Sequence, residues 1–263
     1  MFPKKNFLSP LFRTFALLRR YAMTTNDEHL WKTFNRALGQ YQLIDEGDDI
    51  LVGLSGGKDS LCLLELLARR RHILKPRFTV QALHVRMENI HYETSTDYLQ
   101  AFCHRLDVPL HIVTTFFSPT PPDSGPTSHP KPPCFLCSWQ RRKQLFNMAQ
   151  QLGCTKIALG HHQDDLLHTA LMNLTFQGQF ATMRARLAMR KMPLTIIRPL
   201  CLCHEEDIRQ YAEAHHYEKQ LKLCPYEHDT HRTTAAHLFA QMEHLNPEAR
   251  QSLFRALTTE GKI

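Results

Sequence analysis

Residues 49–54 read DILVGL, a short apolar run of the kind expected of a strand buried on both faces, and it stops at SGGKDS. From Ser60 the segment LCLLELLARRRHIL carries apolar side chains at i, i+3 and i+4. It ends in arginines, where cations suit the helix dipole. Upstream, residues 27–41 form an amphipathic helical pattern, with Asn26 as its expected N-cap before Asp27 and Glu28. Downstream the alternation repeats: strands are predicted at 78–85, 110–116, 156–159 and 194–198, and helices at 93–106, 138–152 and 164–176. Residues 118–133 hold seven of the fifteen prolines and are expected to form a loop. Strands alternating with helices imply an α/β fold with a doubly wound parallel sheet, right-handed crossovers and ligands at the carboxyl ends of the strands. Beyond Leu200 only helical patterning is found, at 204–215 and 230–257. The expected division is therefore a basic, poorly ordered extension at 1–26, an N-terminal helix at 27–46, a nucleotide-binding domain at 47–200 and a helical tail at 201–263.

Ser55-Gly56-Gly57-Lys58-Asp59-Ser60 lies where the buried strand turns into a helix. The glycines allow close approach of an anion, the helix N-terminus offers N–H groups, and Ser55, Lys58 and Ser60 add donors. The spacing is not that of GxxxxGK[ST], which disfavours a Walker-type kinase or GTPase. Asp59 beside phosphates would be repulsive unless Mg²⁺ bridged them. A plain Gly-Gly turn accounts for the glycines but not for Lys58, Asp59 and two serines together.

Cys134-Phe135-Leu136-Cys137 stands at a loop-to-helix boundary, followed by Arg141, Arg142 and Lys143. Two thiolates at this spacing can share a metal or cluster, and a redox dithiol or a coincidental pair are the alternatives. Cys224 offers a third thiol, whereas Cys62, Cys103, Cys154, Cys201 and Cys203 read as structural. Gly160-His161-His162-Gln163-Asp164-Asp165 follows a strand and opens a helix, so its side chains should face the same strand ends as the glycine loop. One aspartate there would be a cap. Two histidines and two aspartates exceed that need, which points to Asp165 or Asp164 in Mg²⁺ binding or substrate orientation and His161 near a nucleotide. His215, His216 and His231 read as surface residues.

Hydrophobic residues make up 43% and charged residues 22% of the chain, as in a globular protein. The net charge of +7 is uneven: residues 1–26 sum to +5, residues 108–204 to +7 and the rest to −5, so one basic region suits a polyanion. Eight irregularly spaced cysteines argue against a secreted disulfide framework and for a reducing, cytoplasmic setting. No run of 18 apolar residues occurs, so no membrane span is expected. The first 22 residues read as an extension upstream of Met23, with a transit peptide or a surface-lying amphipathic helix as the alternative.

SGGKDS resembles the signature SGGxDS of the PP-loop family, the N-type ATP pyrophosphatases. With CFLCSWQRR, LGCTKIALGHHQDD and IRPL, the stretch 45–226 closely resembles the TtcA-type tRNA 2-thiocytidine synthetases and their TtuA-like relatives. The resemblance implies a Rossmann-like fold of the adenine nucleotide α-hydrolase type. It further implies transfer of AMP from ATP to a base oxygen in tRNA, followed by replacement of that oxygen with sulfur supplied as sulfide or by a cysteine desulfurase. The implied ligands of a 4Fe-4S cluster are Cys134, Cys137 and Cys224. ATP and Mg²⁺ would be held by Leu54, Ser55, Gly56, Gly57, Lys58, Asp59, Ser60, His84, Gly160 and His161, with Lys58, Asp59 and Asp165 in catalytic roles. Arg141, Arg142, Lys143, Arg184, Arg186, Arg190 and Lys191 would hold RNA phosphates, and a homodimer is the candidate assembly. TtcA-type tails often carry a further CxxC, whereas beyond Cys203 this tail has the single Cys224, in CPYE, which leaves the target nucleoside open. The rival enzyme reading is amidotransfer or small-molecule sulfur transfer on the same fold; the non-enzyme reading is an RNA-binding or iron-sulfur sensor module.

Overall fold

The computed structural model describes residues 25–92, 96–117, 133–218, 222–223 and 231–263. The apolar run after residue 48 is strand β1 (Asp48–Gly53), whose Ile50, Leu51 and Val52 are fully buried because helices cover both faces of the sheet. It pairs in parallel with β2 (Phe78–Met87) on one side and β5 (Lys156–Ala158) on the other. Strand β4 (Leu110–Thr115) adds beyond β2, and β7 (Thr195–Ile197) beyond β5, both parallel. The spatial order β4-β2-β1-β5-β7 is the doubly wound arrangement that alternation predicts. One edge differs. Strand β6 (Arg186–Ala188) pairs antiparallel with β7, and its three residues, with only Leu187 partly buried, offer no apolar run for a pattern to detect.

Helices α1 (Thr25–Gln40), α2 (Lys58–Arg70), α3 (Thr96–Arg105) and α6 (Glu205–Ala214) share the larger core on one face of the sheet. On the other face, α4 (Pro133–Gln151) places Leu145 and Ala149 against Leu51, Leu83 and Ile157. Helix α5 (Gln163–Gln177) packs Leu167, Ala170 and Leu171 against the tail, which forms two helices where the pattern suggested one. These are α7 (His231–Leu245) and α8 (Ala249–Thr259). The break contains Pro247, which disfavours helix at the residue before it, and the Asn246 side chain accepts the Glu248 N–H at 3.0 Å. The tail is also not purely helical. Strand β8 (Lys222–Leu223) pairs antiparallel with β3 (His91–Tyr92), tying the tail to the segment that follows β2.

Two further expectations change. Asn26 lies within the first turn of α1, and its amide donates to the Asp207 carbonyl at 3.2 Å. The His215 side chain is largely shielded from solvent, with Nε2 3.5 Å from Asp27 and Nδ1 3.4 Å from Glu65. Tyr217 donates its hydroxyl to Glu65 at 2.6 Å, and Tyr211 stacks on His215 at 3.9 Å. These contacts join α1, α2 and the end of α6, and residues so widely separated in the chain carry no periodicity that would reveal them. At the amino end of the sheet, the buried Lys156 ammonium reaches the Leu43 carbonyl (2.9 Å), Asp45 (2.7 Å) and Asp48. The opposite, carboxyl edge is left to the motifs. Among the described residues, no helix is long and apolar enough to cross a membrane.

Candidate functional site

The glycine loop leaves β1 at its carboxyl end. Leu54 extends the ladder by donating its N–H to the Leu83 carbonyl at 2.9 Å, and its own carbonyl lies 2.8 Å from Nδ1 of the buried His84, which thereby pins the strand exit. Gly56 then takes a φ of +87°, a left-handed value that side chains with a Cβ rarely adopt. The serines shape the turn: Ser60 Oγ accepts the Ser55 N–H (3.1 Å) and donates to the Gly57 carbonyl (2.9 Å), while Ser55 Oγ accepts the Gly57 N–H (3.3 Å). Lys58 opens α2, and its ammonium bridges Asp59 (3.1 Å) and Glu205 (2.8 Å). Burial works against that charge, but the bond to Glu205 and the adjoining Asp59 carboxylate outweigh it and raise the Lys58 pKa. The sequence pattern does not distinguish Glu205, because acids in a first helical turn read as ordinary complements to the dipole.

The GHHQDD segment leaves β5 alongside. A Cβ on Gly160 would come within 3.0 Å of the Asp59 backbone carbon and oxygen, so glycine is what lets the two strand exits touch. His161 Nδ1 accepts from the buried Arg198 at 3.3 Å. His162 sits at the centre: Nε2 is 3.9 Å from Asp59 and 3.5 Å from Asp165, and Nδ1 is 3.5 Å from Asp164. Burial alone would lower its pKa, yet the three carboxylates prevail and raise it. Asp165 accepts the His162 N–H at 3.1 Å, so it does cap α5. Asp164 is turned away from the loop. It accepts the Glu205 N–H at 2.8 Å and pairs with Arg250 of α8 at 2.6 Å. Burial opposes its ionisation, but His162, the Glu205 N–H and Arg250 together hold the carboxyl well below the usual range. Asp59 and Asp165 are thus the two acids that flank His162 on the loop side.

The cysteine pair lies at the start of α4, which Pro133 opens. Cys134 is exposed and Cys137 half-buried. Leu136 and Cys137 pack against Met87, Ile90 and Phe117, which sets the pair at the carboxyl ends of β2 and β4, one strand over from the glycine loop. Cys224 lies outside the described residues; Leu223, just before it, pairs with His91, four residues beyond Met87. The other cysteines are buried, and burial pushes the thiols of Cys103 and Cys201 up to about 12. No disulfide forms among the described residues.

A family profile described as the PP-loop domain matches residues 26–220. The chain belongs to the PP-loop family. Among curated relatives, the tRNA-cytidine(32) 2-sulfurtransferase of Pseudomonas syringae pv. tomato is 32% identical over 240 residues, covering 89% of this chain and 86% of the relative. The enzyme of the same name from Shewanella amazonensis is 31% identical over 239 residues, covering 89% and 74%. Among solved structures, the U34-tRNA thiolase NcsA from Methanococcus maripaludis with its [4Fe-4S] cluster superposes with a TM-score of 0.70 at 23% identity, covering 89% of this chain and 78% of that one. The last likeness establishes the fold.

Around this PP-loop the basic residues do not form one belt. Arg141, Arg142 and Lys143 lie on the third turn of α4, near the carboxyl edge of the sheet. Arg184 lends its carbonyl to Arg198, beside His161. Arg186 is tied to the Gln42 carbonyl (2.8 Å) and Asp45 (2.9 Å). Arg190 and Lys191 occupy the turn between β6 and β7, and because β7 runs parallel to β1, that turn lies at the amino end of the sheet, opposite the PP-loop. The reversal of β6, invisible in the charge pattern, is what divides them.

Proposed function

We propose that this chain is an ATP-dependent tRNA-thiolating transferase: it adenylates an oxygen of a tRNA base and exchanges that oxygen for sulfur. The observation that carries the reading is the adjacency of the PP-loop, at the exit of β1, and the cysteine pair, against the exits of β2 and β4, on one edge of the sheet. The relatives named tRNA-cytidine(32) 2-sulfurtransferase support a tRNA base, cytidine among them, as the acceptor.

In this reading the loop N–H groups and Lys58 receive the phosphates, with Lys58 exchanging Glu205 for the nucleotide. Asp59 and Asp165 would hold Mg²⁺ beside the triphosphate, and the His162 ring between them keeps their orientation. The base oxygen attacks the α-phosphorus, the α–β bond breaks and pyrophosphate leaves. A sulfur nucleophile then attacks the activated carbon, and AMP departs with the former oxygen. Cys134 and Cys137, three residues apart on one turn, suit joint ligation, and with Cys224 they would hold a 4Fe-4S cluster. Such a cluster, when bound, supplies an iron with an open position for sulfur. The sulfur itself comes as sulfide, supplied free or released by a thiol reductant from the persulfide of a cysteine desulfurase, and the exposed Cys134 suits a reducing, cytoplasmic setting.

The decisive assay incubates the anaerobically reconstituted full chain with ATP, Mg²⁺, sulfide and unfractionated tRNA, followed by mass analysis of nucleosides. A thiolated nucleoside and stoichiometric AMP are expected, and Lys58→Ala should reduce both by at least about a hundredfold, the scale of losing one charge-stabilising donor. AMP formation that depends on a small acceptor, with no sulfur entering tRNA, would overturn the proposal.

A further inference from the structure

We propose that Trp139, flanked by Phe135, Arg142 and Lys143, is a stacking platform for an unpaired base of the RNA substrate. This rests on the substrate being an RNA, and it adds a recognition element on the helix that carries the cysteine pair.

The chain has two tryptophans, and they differ in setting. Trp31 stacks on Phe34 at 5.8 Å and is covered by the Arg69 guanidinium at 4.1 Å. Trp139 leaves 47% of its surface to solvent, and Phe135, one turn earlier, leaves 44%. A helix sets i, i+4 and i+7 on one side, so Phe135, Trp139 and Arg142 share a face. That face is distinct from the one through which Leu136 and Cys137 pack on Met87, Ile90 and Phe117. Apolar rings in this number on a solvent face usually meet a partner.

The cations decide which partner. Lys143 stands 5.4 Å from the Trp139 ring centroid, which steadies the indole while placing an ammonium next to it. Arg142 is tethered by its Nε to the Ser138 carbonyl at 3.3 Å, which holds a second cation alongside. The surrounding stretch, residues 108–204, carries ten bases against three acids. Rings next to fixed cations match a nucleobase joined to a phosphate, the combination by which single-stranded and loop nucleotides are gripped. An apolar protein partner would be met by a charged border instead. Trp139 lies five residues beyond Cys134, a rise of about 7.5 Å along the helix, so a stacked base would hold the strand within reach of the cysteine pair.

The test uses intrinsic fluorescence of the full-length holoprotein, in which Trp31 serves as the internal reference. Titration with unfractionated tRNA should quench the emission, and loop-free duplex RNA should not. Trp139→Phe should abolish the quench while keeping tRNA affinity within a few-fold. Trp139→Ala should weaken tRNA binding roughly tenfold at an unchanged melting midpoint, the scale of one lost base stack. Unchanged affinity in Trp139→Ala, or equal quenching by duplex RNA, would overturn the platform. So would a Trp139→Ala effect confined to sedimentation, which would assign the face to a second copy. If the wild type neither binds nor thiolates tRNA, the functional reading itself falls; if it does both while Trp139→Ala binds equally well, only the platform falls.

Discussion

A cysteine's neighbours decide whether it is a ligand, a nucleophile or packing. Cys62, Cys103, Cys154, Cys201 and Cys203 are buried, and burial is the leading cause that raises each of their pKa values. Since the thiolate is the reactive form, all five should resist alkylation in the native protein at neutral pH. Cys134 should react first and the half-buried Cys137 more slowly. Peptide mapping after iodoacetamide treatment of cluster-free protein, with and without denaturant, checks this. Native labelling of Cys201 or Cys203 would contradict the packing described. This division was legible in the sequence, because C-x-x-C after a proline-rich segment differs from cysteines set within helical, turn or strand segments. Glu205 and Arg198 were not legible, since each acquires its partner only where separate strand exits converge.

At the scale of elements, α8 reaches back to the site through one side chain. Arg250 pairs with Asp164 at 2.6 Å and with Glu243 at 2.8 Å, both partners lying in other helices. Removing one member of a largely buried pair leaves an uncompensated charge, so Arg250→Met should destabilise the protein by about 2–4 kcal/mol in denaturant unfolding. The pH dependence has a definite direction. Asp164 titrates lower in the folded chain than in the unfolded one, so its stabilisation is present above the unfolded value near 3.9 and is lost as pH falls through the folded value. The difference between wild type and Arg250→Met should therefore be greatest near neutrality and shrink on acidification below about pH 4. A constant difference across that range would exclude the Asp164 pairing as its source. Nothing in the pattern of residues 230–257 marks Arg250 as anything but surface charge, because helical periodicity reports which face is apolar and not which cation finds a carboxylate.

For the whole molecule, the division of the basic residues predicts where a polyanion binds. Replacing Arg142 and Lys143 by Gln should weaken tRNA binding and reduce the slope of log affinity against log salt by about 1–2, one step per lost phosphate contact. Replacing Arg190 and Lys191 by Gln, at the amino end of the sheet, should leave affinity and slope as they are. Filter binding at several salt concentrations separates the two outcomes. Equal losses in both variants would mean that RNA wraps around to the far edge.

The order of strands and helices, the glycine loop after β1 and the second motif after β5 were determined by the sequence itself, since apolar periodicity, glycines and helix-opening residues act over a few neighbouring positions. The reversed edge strand, the division of the tail into two helices, the seating of His215 between Asp27 and Glu65, and the hold of Glu205 on Lys58 were decided only by tertiary structure. Each depends on pairings between residues far apart in the chain. Local pattern is silent about which distant groups meet once the sheet has assembled.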